Sequence, residues 1–170
     1  AYVGLARVYS RQKKYGEAEK YLTKAVALDP KDTSNRSILV QYYLRRNNVT
    51  MAEKEVLKGI DLNPQDIELH IMKGGISRLQ GCNEDAERAY LKAISIDAKN
   101  IKANIVAAGY YASIGNHDRT EEIYKKALEL NPDEIPLLDN VADYYLRTRN
   151  LDKAEAYNQK ILDLRPNYLP

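Results

Sequence analysis

Few side chains in this chain combine the type and the spacing that chemistry requires. The two histidines, His70 and His117, stand 47 residues apart. Neither has a cysteine or an acid at metal-ligand spacing, so both read as exposed polar side chains and no metal is expected. Cys82 is the single cysteine, which excludes an intrachain disulfide. With no histidine near it in sequence it reads as a bystander thiol, and its isolation fits a reducing compartment. Gly74-Gly75 lacks the Lys-Ser/Thr that follows the glycines of a phosphate-cradling loop. Asn35-Arg36-Ser37 and Asn48-Val49-Thr50 fit the glycosylation triplet, which counts only in a secretory setting. No catalytic residue, no cofactor and no enzyme activity are expected.

Spacing supplies what chemistry does not. Lys24, Lys58, Lys92, Lys126 and Lys160 recur every 34 residues, as do Glu19, Glu53, Glu87, Glu121 and Glu155. Pro30, Pro64, Pro132 and Pro166 keep the same step, with Ala98 in the vacant slot. A fixed period in this range marks a repeat array, a quasi-one-dimensional stack in which each unit touches its neighbours. Five such units fill the 170 residues, with approximate bounds 1–32, 33–66, 67–100, 101–134 and 135–168. The repeated glutamates and lysines read as solvated helix faces or contacts between units.

Composition narrows the function classes. Charged residues make up 29% of the chain, yet the net charge is only +2. That is not the electrostatic footprint of a nucleic-acid binder. No apolar run reaches the roughly 18 residues of a membrane-spanning helix. Phe and Trp are absent while Tyr occurs 14 times, so tyrosine carries the large-aromatic packing and its hydroxyl needs water or a partner. Cytoplasmic and bacterial periplasmic settings are both compatible.

Each unit reads as two helices. Within 101–114, apolar residues at Ile101, Ile105, Ala107, Ala108, Tyr110 and Tyr111 follow a helical period. Gly115-Asn116 breaks this helix, glycine accepting positive φ without steric cost. A second helix over 118–130 carries Ile123, Ala127, Leu128 and Leu130 on one stripe and stops at Asn131-Pro132. Gly81 closes the corresponding helix of the third unit, and Asn47-Asn48 and Asn150 supply turns where glycine is missing. Thr50-x-x-Glu53 reads as a capping box. Small residues (Ala6, Gly74, Ala108 and Ala142; then Ala18, Ala52, Ala86 and Ala154) mark close approaches, with Tyr9, Tyr43, Tyr111 and Tyr145 filling between.

These residues resemble the tetratricopeptide repeat, whose pattern is W-x2-L-G-x2-Y, then A-x3-F, then P. The first unit gives Tyr2-x2-Leu5-Ala6-x2-Tyr9, Ala18-x3-Leu22 and Pro30; the fourth gives Ala107-Ala108-x2-Tyr111, Thr120-x3-Tyr124 and Pro132. The third unit departs, with Lys73 and Ser77 where Leu and Tyr belong and no closing proline. The resemblance implies an all-α, right-handed α-solenoid of antiparallel helix hairpins. Ala1 falls at the third position of its unit, no polar cap unit is seen, and Asn167-Tyr168-Leu169-Pro170 resembles the opening of a sixth unit. The expectation is a piece of a longer array.

The resemblance further implies that the first helix of each unit lines a concave groove. Carried over, the wall holds Arg7, Ser10 and Arg11, then Ser34, Ser37, Ile38, Gln41 and Arg45, then Ile71, Met72, Gly75, Arg78 and Leu79. It continues with Ile105, Val106, Gly109 and Ser113, and ends with Asp139, Asn140, Asp143 and Arg147. An apolar strip with charged ends suits recognition of a peptide, anchors giving affinity and charges giving orientation. Gly75 and Gly109 share one repeat position and would bare backbone to a ligand. Some family members clamp a C-terminal carboxylate with Lys, Asn and Arg from three units. The matching residues here, among them Val3, Arg7, Ile38, Glu68 and Met72, do not form that clamp. A non-catalytic scaffold with a protein or peptide partner in its groove is the expectation. The alternatives are self-assembly, with groove or ends engaging another copy, and the regulatory arm of a larger enzyme. Direct nucleic-acid binding is not expected, since no continuous basic stripe with stacking aromatics lines the groove.

Overall fold

The computed structural model describes residues 1–166; the expected opening of a sixth unit at 167–170 lies outside the described residues. Among the described residues there are ten α-helices and no strand. They pair as hairpins: α1 (Tyr2–Arg11) with α2 (Tyr15–Leu28), α3 (Thr33–Arg45) with α4 (Val49–Leu62), and α5 (Ile67–Leu79) with α6 (Asn83–Ile96). Then come α7 (Ile101–Ser113) with α8 (His117–Leu130) and α9 (Ile135–Arg147) with α10 (Leu151–Leu164). The all-α hairpin reading holds. The contacts group into two compact units, 1–93 and the part from Ile94 onward.

The turn inside each hairpin repeats one device. Lys13, Asn47, Gly81, Gly115 and Arg149 all have positive φ, between 56° and 77°. The next amide bonds back across the turn, as Lys14 N to Tyr9 O, Asn48 N to Tyr43 O and Asn150 N to Tyr145 O, each at 2.9 Å. The left-handed residue's own amide closes the inner bond, as Lys13 N to Ser10 O at 3.0 Å. This is a Schellman closure, which satisfies the last carbonyls of a helix. The residue after it starts the next helix: Asn48, Asn116 and Asn150 accept from Met51 N, Arg119 N and Lys153 N at 3.2–3.3 Å. Two expectations are corrected here. Asn48, not Thr50, caps α4, so the proposed capping box does not form; Glu53 turns to another hairpin instead. Asn150 is likewise the cap of α10, and Arg149 takes the left-handed turn position.

The expected small residues sit at the helix crossings. Ala6, Ala18, Ala52, Ala86, Ala108, Ala142 and Ala154 are all buried. Thr120 takes the alanine slot of α8, and its hydroxyl reaches Ala108 O at 3.5 Å, so the two backbones approach within one small side chain. A second row of small residues, Ala25, Gly59, Ala93 and Ala127, is also buried. A Cβ on Gly59 would stand 2.6 Å from Leu69 of the next hairpin. In the fourth hairpin Tyr124 is buried while Leu130 is 42% exposed, so Leu130 leaves the expected stripe.

The third hairpin reverses the usual size order. Ser77 replaces the tyrosine of the other hairpins and is fully buried, and Gly74 lies beside it on α5. The volume comes from the other helix: Tyr90 of α6 lays its ring where a Cβ on Gly74 would meet it at 2.5 Å. The departure at Ser77 is therefore compensated by Tyr90.

Carbonyls at the ends of the units are satisfied by side chains six residues on. Arg36 Nη2 meets Pro30 O at 3.5 Å, His70 Nε2 meets Pro64 O at 3.0 Å, and Asn104 Nδ2 donates to Ala98 O at 2.9 Å. Leu138 holds the next equivalent position, and there Lys160 Nζ donates to Pro132 O at 2.6 Å. His70 is consequently buried, contrary to the expectation of an exposed histidine. Arg36, also buried, pairs Nη1 with Glu55 Oε2 at 2.6 Å.

The periodic glutamates reach into the following hairpin. Tyr43 Oη donates to Glu19 at 2.8 Å, Lys73 Nζ and Gln80 Nε2 donate to Glu53 at 2.8 and 2.6 Å, and Lys153 Nζ donates to Glu121 at 3.3 Å. The bonds from Lys73 and Gln80 hold the Glu53 carboxyl below its ordinary value of 4.5. A depressed folded-state pKa gives stabilisation that is full above the ordinary value and lost as pH falls through the depressed one. Glu53→Gln is expected to lose stability at neutral pH and to show a shallower decline below about pH 4.5; urea melts across pH 2–7 check this.

Turn strain gives a second expected outcome. Lys13→Gly and Arg149→Gly should each raise stability by about 0.5–1 kcal/mol, because glycine relieves the left-handed penalty at a modest cost in chain entropy. Asn47→Gly should gain least, since Asn tolerates that region. Shifts in the urea midpoint decide.

Candidate functional site

The predicted groove residues divide by burial and by place. On α1, Arg7 and Arg11 are exposed, and on α3, Gln41 and Arg45 are exposed beside half-buried Ile38. These five line one cleft of about 630 Å³, together with Ala6, Ser10, Tyr15, Leu22, Tyr42 and Arg46. Helical spacing explains the grouping. Arg7 and Arg11 stand one turn apart, and Ile38, Gln41, Tyr42 and Arg45 follow steps of three and four along α3. The cleft floor is apolar, from Ala6, Leu22 and Ile38, while its rim is cationic.

Four arginines face this cleft, and none of its lining residues is an acid. Among the described residues, Arg7, Arg11 and Arg45 form no ion pair. Arg46 is fixed differently: its guanidinium lies 3.7 Å from the centre of the Tyr15 ring. A cation over an aromatic face is held by the ring quadrupole. Tyr42 Oη donates to Tyr15 O at 2.8 Å, tying the start of α2 to α3. Burial, with a smaller push from Glu19, raises the Tyr42 phenol above its ordinary value, so it stays protonated and donating. Arg46, Tyr15 and Tyr42 were not singled out in the sequence. The adjacent pairs Tyr42-Tyr43 and Arg45-Arg46 were the available signal, since a helix ending at Arg45 leaves both arginines near its open end.

The remaining predicted residues are placed elsewhere. Ile71 and Met72 are each only 8% exposed, and Met72 packs in the core with Leu39, Leu69 and Ile76. Gly75 is half-buried and Arg78 exposed on α5, outside the cleft lining. In the compact part from Ile94 onward, Ile105 and Val106 are half-buried and Gly109 is exposed on α7. On α9 the Asn140 amide donates to Pro136 O at 2.8 Å, and Asp143 pairs with Arg147 at 2.7 Å. Asp139 is half-buried on the same helix. The second unit has its own cleft of about 890 Å³, between α8, α9 and α10. It contains none of the predicted residues. Tyr145 and Tyr157 stack there at 5.9 Å, and Lys153 lies 4.6 Å from the Tyr145 ring centre.

Among the described residues no three of His, Cys, Asp and Glu gather as metal ligands. His117 Nδ1 lies 3.1 Å from Tyr144 Oη. Cys82 is exposed at the turn before α6. No helix among the described residues is long and apolar enough to cross a membrane.

Two tetratricopeptide repeat models match the chain, one over residues 1–32 and the other over 101–134 and 135–168. The chain belongs to the tetratricopeptide repeat (TPR) family. Members of this family are generally non-catalytic scaffolds for protein interaction. Solved TPR structures share its fold at low identity. One is TTC0263, a thermophilic TPR protein from Thermus thermophilus, with 20% identity, 98% of this chain and 91% of that chain covered, and a TM-score of 0.70. MamA matches with 19% identity, coverage of 99% and 96%, and a TM-score of 0.67. YrrB, described as a TPR protein with an unusual peptide-binding site, matches with 18% identity, coverage of 98% and 86%, and a TM-score of 0.60. Among curated proteins, none matches this TPR chain in sequence.

The two glycines expected at the groove differ from their neighbour Gly74 in what surrounds them. A Cβ on Gly109 would meet nothing within 4 Å, and one on Gly75 only Tyr90 Oη at 3.8 Å. Gly109→Ala is expected to raise stability by about 0.5–1 kcal/mol, the ordinary gain inside a helix. Gly74→Ala is expected to lower it by about 1–3 kcal/mol, because the buried Tyr90 ring must move. Urea unfolding of the two variants separates a packing glycine from an open one.

Proposed function

We propose that this TPR chain is a non-catalytic scaffold that binds a peptide or protein segment against the first helices of its hairpins. The α1–α3 cleft serves as the main docking point. The observation that carries the reading is the convergence of Arg7, Arg11, Ile38, Gln41 and Arg45 on one cleft. They combine an apolar floor, for anchoring, with polar groups on the rim, for orientation. The hairpins form one array of units bounded at 1–32, 33–66, 67–100, 101–134 and 135–168. Within the part from Ile94 onward, Ile105, Val106 and Gly109 on α7 and Asp139, Asn140 and Asp143 on α9 serve as contact residues of its own first helices.

Ile71 and Met72, both buried on α5, act by holding that helix in place rather than by direct contact. Gln41→Trp tests the cleft. Gln41 is exposed, so the indole adds bulk to the cleft without disturbing the core. Peptides selected against the unaltered chain are expected to bind this variant at least about tenfold more weakly, a loss of roughly 1.4 kcal/mol. Leu57→Trp, at an exposed site on α4, should leave them unchanged. Selected peptides indifferent to Gln41→Trp would remove the cleft from the reading.

A further inference from the structure

We infer that the segment bound in the α1–α3 cleft is acidic: carboxylate side chains flanking one apolar residue. This rests on the proposed cleft binding and adds the chemical class of the ligand. The chain as a whole is nearly neutral at +2, yet the cleft concentrates four arginines and no acid. Elsewhere the protein pairs its cations readily. Arg36 meets Glu55, Arg88 meets Asp85, Arg119 meets Glu122, and Arg147 meets Asp143. Arg7, Arg11 and Arg45, like Arg78, Arg149 and Arg165 outside the cleft, form no ion pair among the described residues; what distinguishes them is that they gather with Arg46 around one concavity. Like charges gathered around one concavity raise the potential there and draw in the opposite sign.

The arrangement also favours carboxylates in particular positions. Arg7 and Arg11 lie one turn apart on α1, and Arg45 and Arg46 at the end of α3 line the same cleft, with Ile38 between the two helices' contributions in its lining. Guanidinium groups form paired hydrogen bonds with carboxylates. Arg46 is held over the Tyr15 ring, so little freedom is lost when it engages a ligand. An apolar side chain between two acidic positions would meet half-buried Ile38, with Leu22 and Ala6 buried behind it.

The test uses fluorescein-labelled peptides and anisotropy. The probe carries a leucine between two glutamate pairs; companions replace glutamate by lysine, by glutamine or by phosphoserine. The glutamate peptide is expected to bind, to weaken as salt is raised, and to lose at least about tenfold in affinity for Arg11→Glu/Arg45→Glu. Both arginines are exposed, and circular dichroism verifies that the variant folds. Lys31→Glu/Lys54→Glu, an equal charge change at exposed lysines outside the cleft, should leave affinity within about twofold.

Equal binding of the glutamine or lysine peptide, lost in Gln41→Trp, would overturn the acidic assignment while leaving cleft binding intact. Binding of the phosphoserine peptide alone would overturn the choice of carboxylate. If the arginine changes abolish self-association in sedimentation velocity and leave peptide affinity untouched, the occupant is a second copy and the proposal falls. If peptides of every charge ignore Gln41→Trp, the cleft reading itself fails.

Discussion

A carbonyl left at the end of each hairpin constrains the rest of the structure. The chain turns from one unit into the next at the exposed residues Pro30, Pro64, Ala98 and Pro132, and each of these carbonyls meets a side-chain nitrogen from a later helix. A backbone carbonyl past a helix end has no partner within the helix and takes such a donor. Arg36, His70, Asn104 and Lys160 provide it with cationic or neutral nitrogens and from different helices. The function is kept while the residue type drifts. This explains two polar side chains that would otherwise be puzzling in a core, His70 and Asn104. It also explains the buried Arg36, whose charge is then balanced by Glu55 at 2.6 Å.

The period made the fold legible before any coordinates. Lysine, glutamate and proline series at one step set the number of hairpins, and the alanine positions set where helices cross; all of these alanines are buried. What escaped were side chains whose role depends on a partner far along the chain. Glu53 looked like half of a local capping box, but its carboxylate is spent on Lys73 and Gln80. The left-handed turn was legible at Gly81 and Gly115, where the residue type announces it. At Lys13 and Arg149 it was not, because there the surrounding helix pair imposes the conformation. His70 was misread for the same reason: its carbonyl partner becomes visible only once the turn has been built.

The candidate site shows the same division. Five of its residues follow from repeat register together with the groove positions that the family resemblance implies. The arginine-rich character of the cleft is different, since it depends on which cations find partners. A net charge near zero conceals it, because most of the chain's arginines outside the cleft stand beside a carboxylate on their own helix or on a packed neighbour. Arg46 was missed because its position lies just past the helix end, where register gives no guidance. Its contact with Tyr15 is set by the three-residue turn between α1 and α2. Ile71 and Met72 mark the opposite failure, residues in groove register that the core claims for itself.

The reversed third hairpin has a consequence for how such a chain can change over time. In α5 the small pair Gly74 and Ser77 makes room, and in α6 the large Tyr90 fills it. Each helix is therefore fitted to its mate: Gly74 leaves the space that the Tyr90 ring occupies. Exchange of genetic material with breakpoints between hairpins would carry both halves of the fit together. A breakpoint inside the Gln80-Gly81-Cys82 turn would leave α5 without that ring wherever the new second helix holds the register residue Leu22, Val56 or Asn158; α8, with Tyr124, would bring one. The unit of inheritance in this array is the hairpin, and the turn that looks easiest to cut is the one that recombination should avoid.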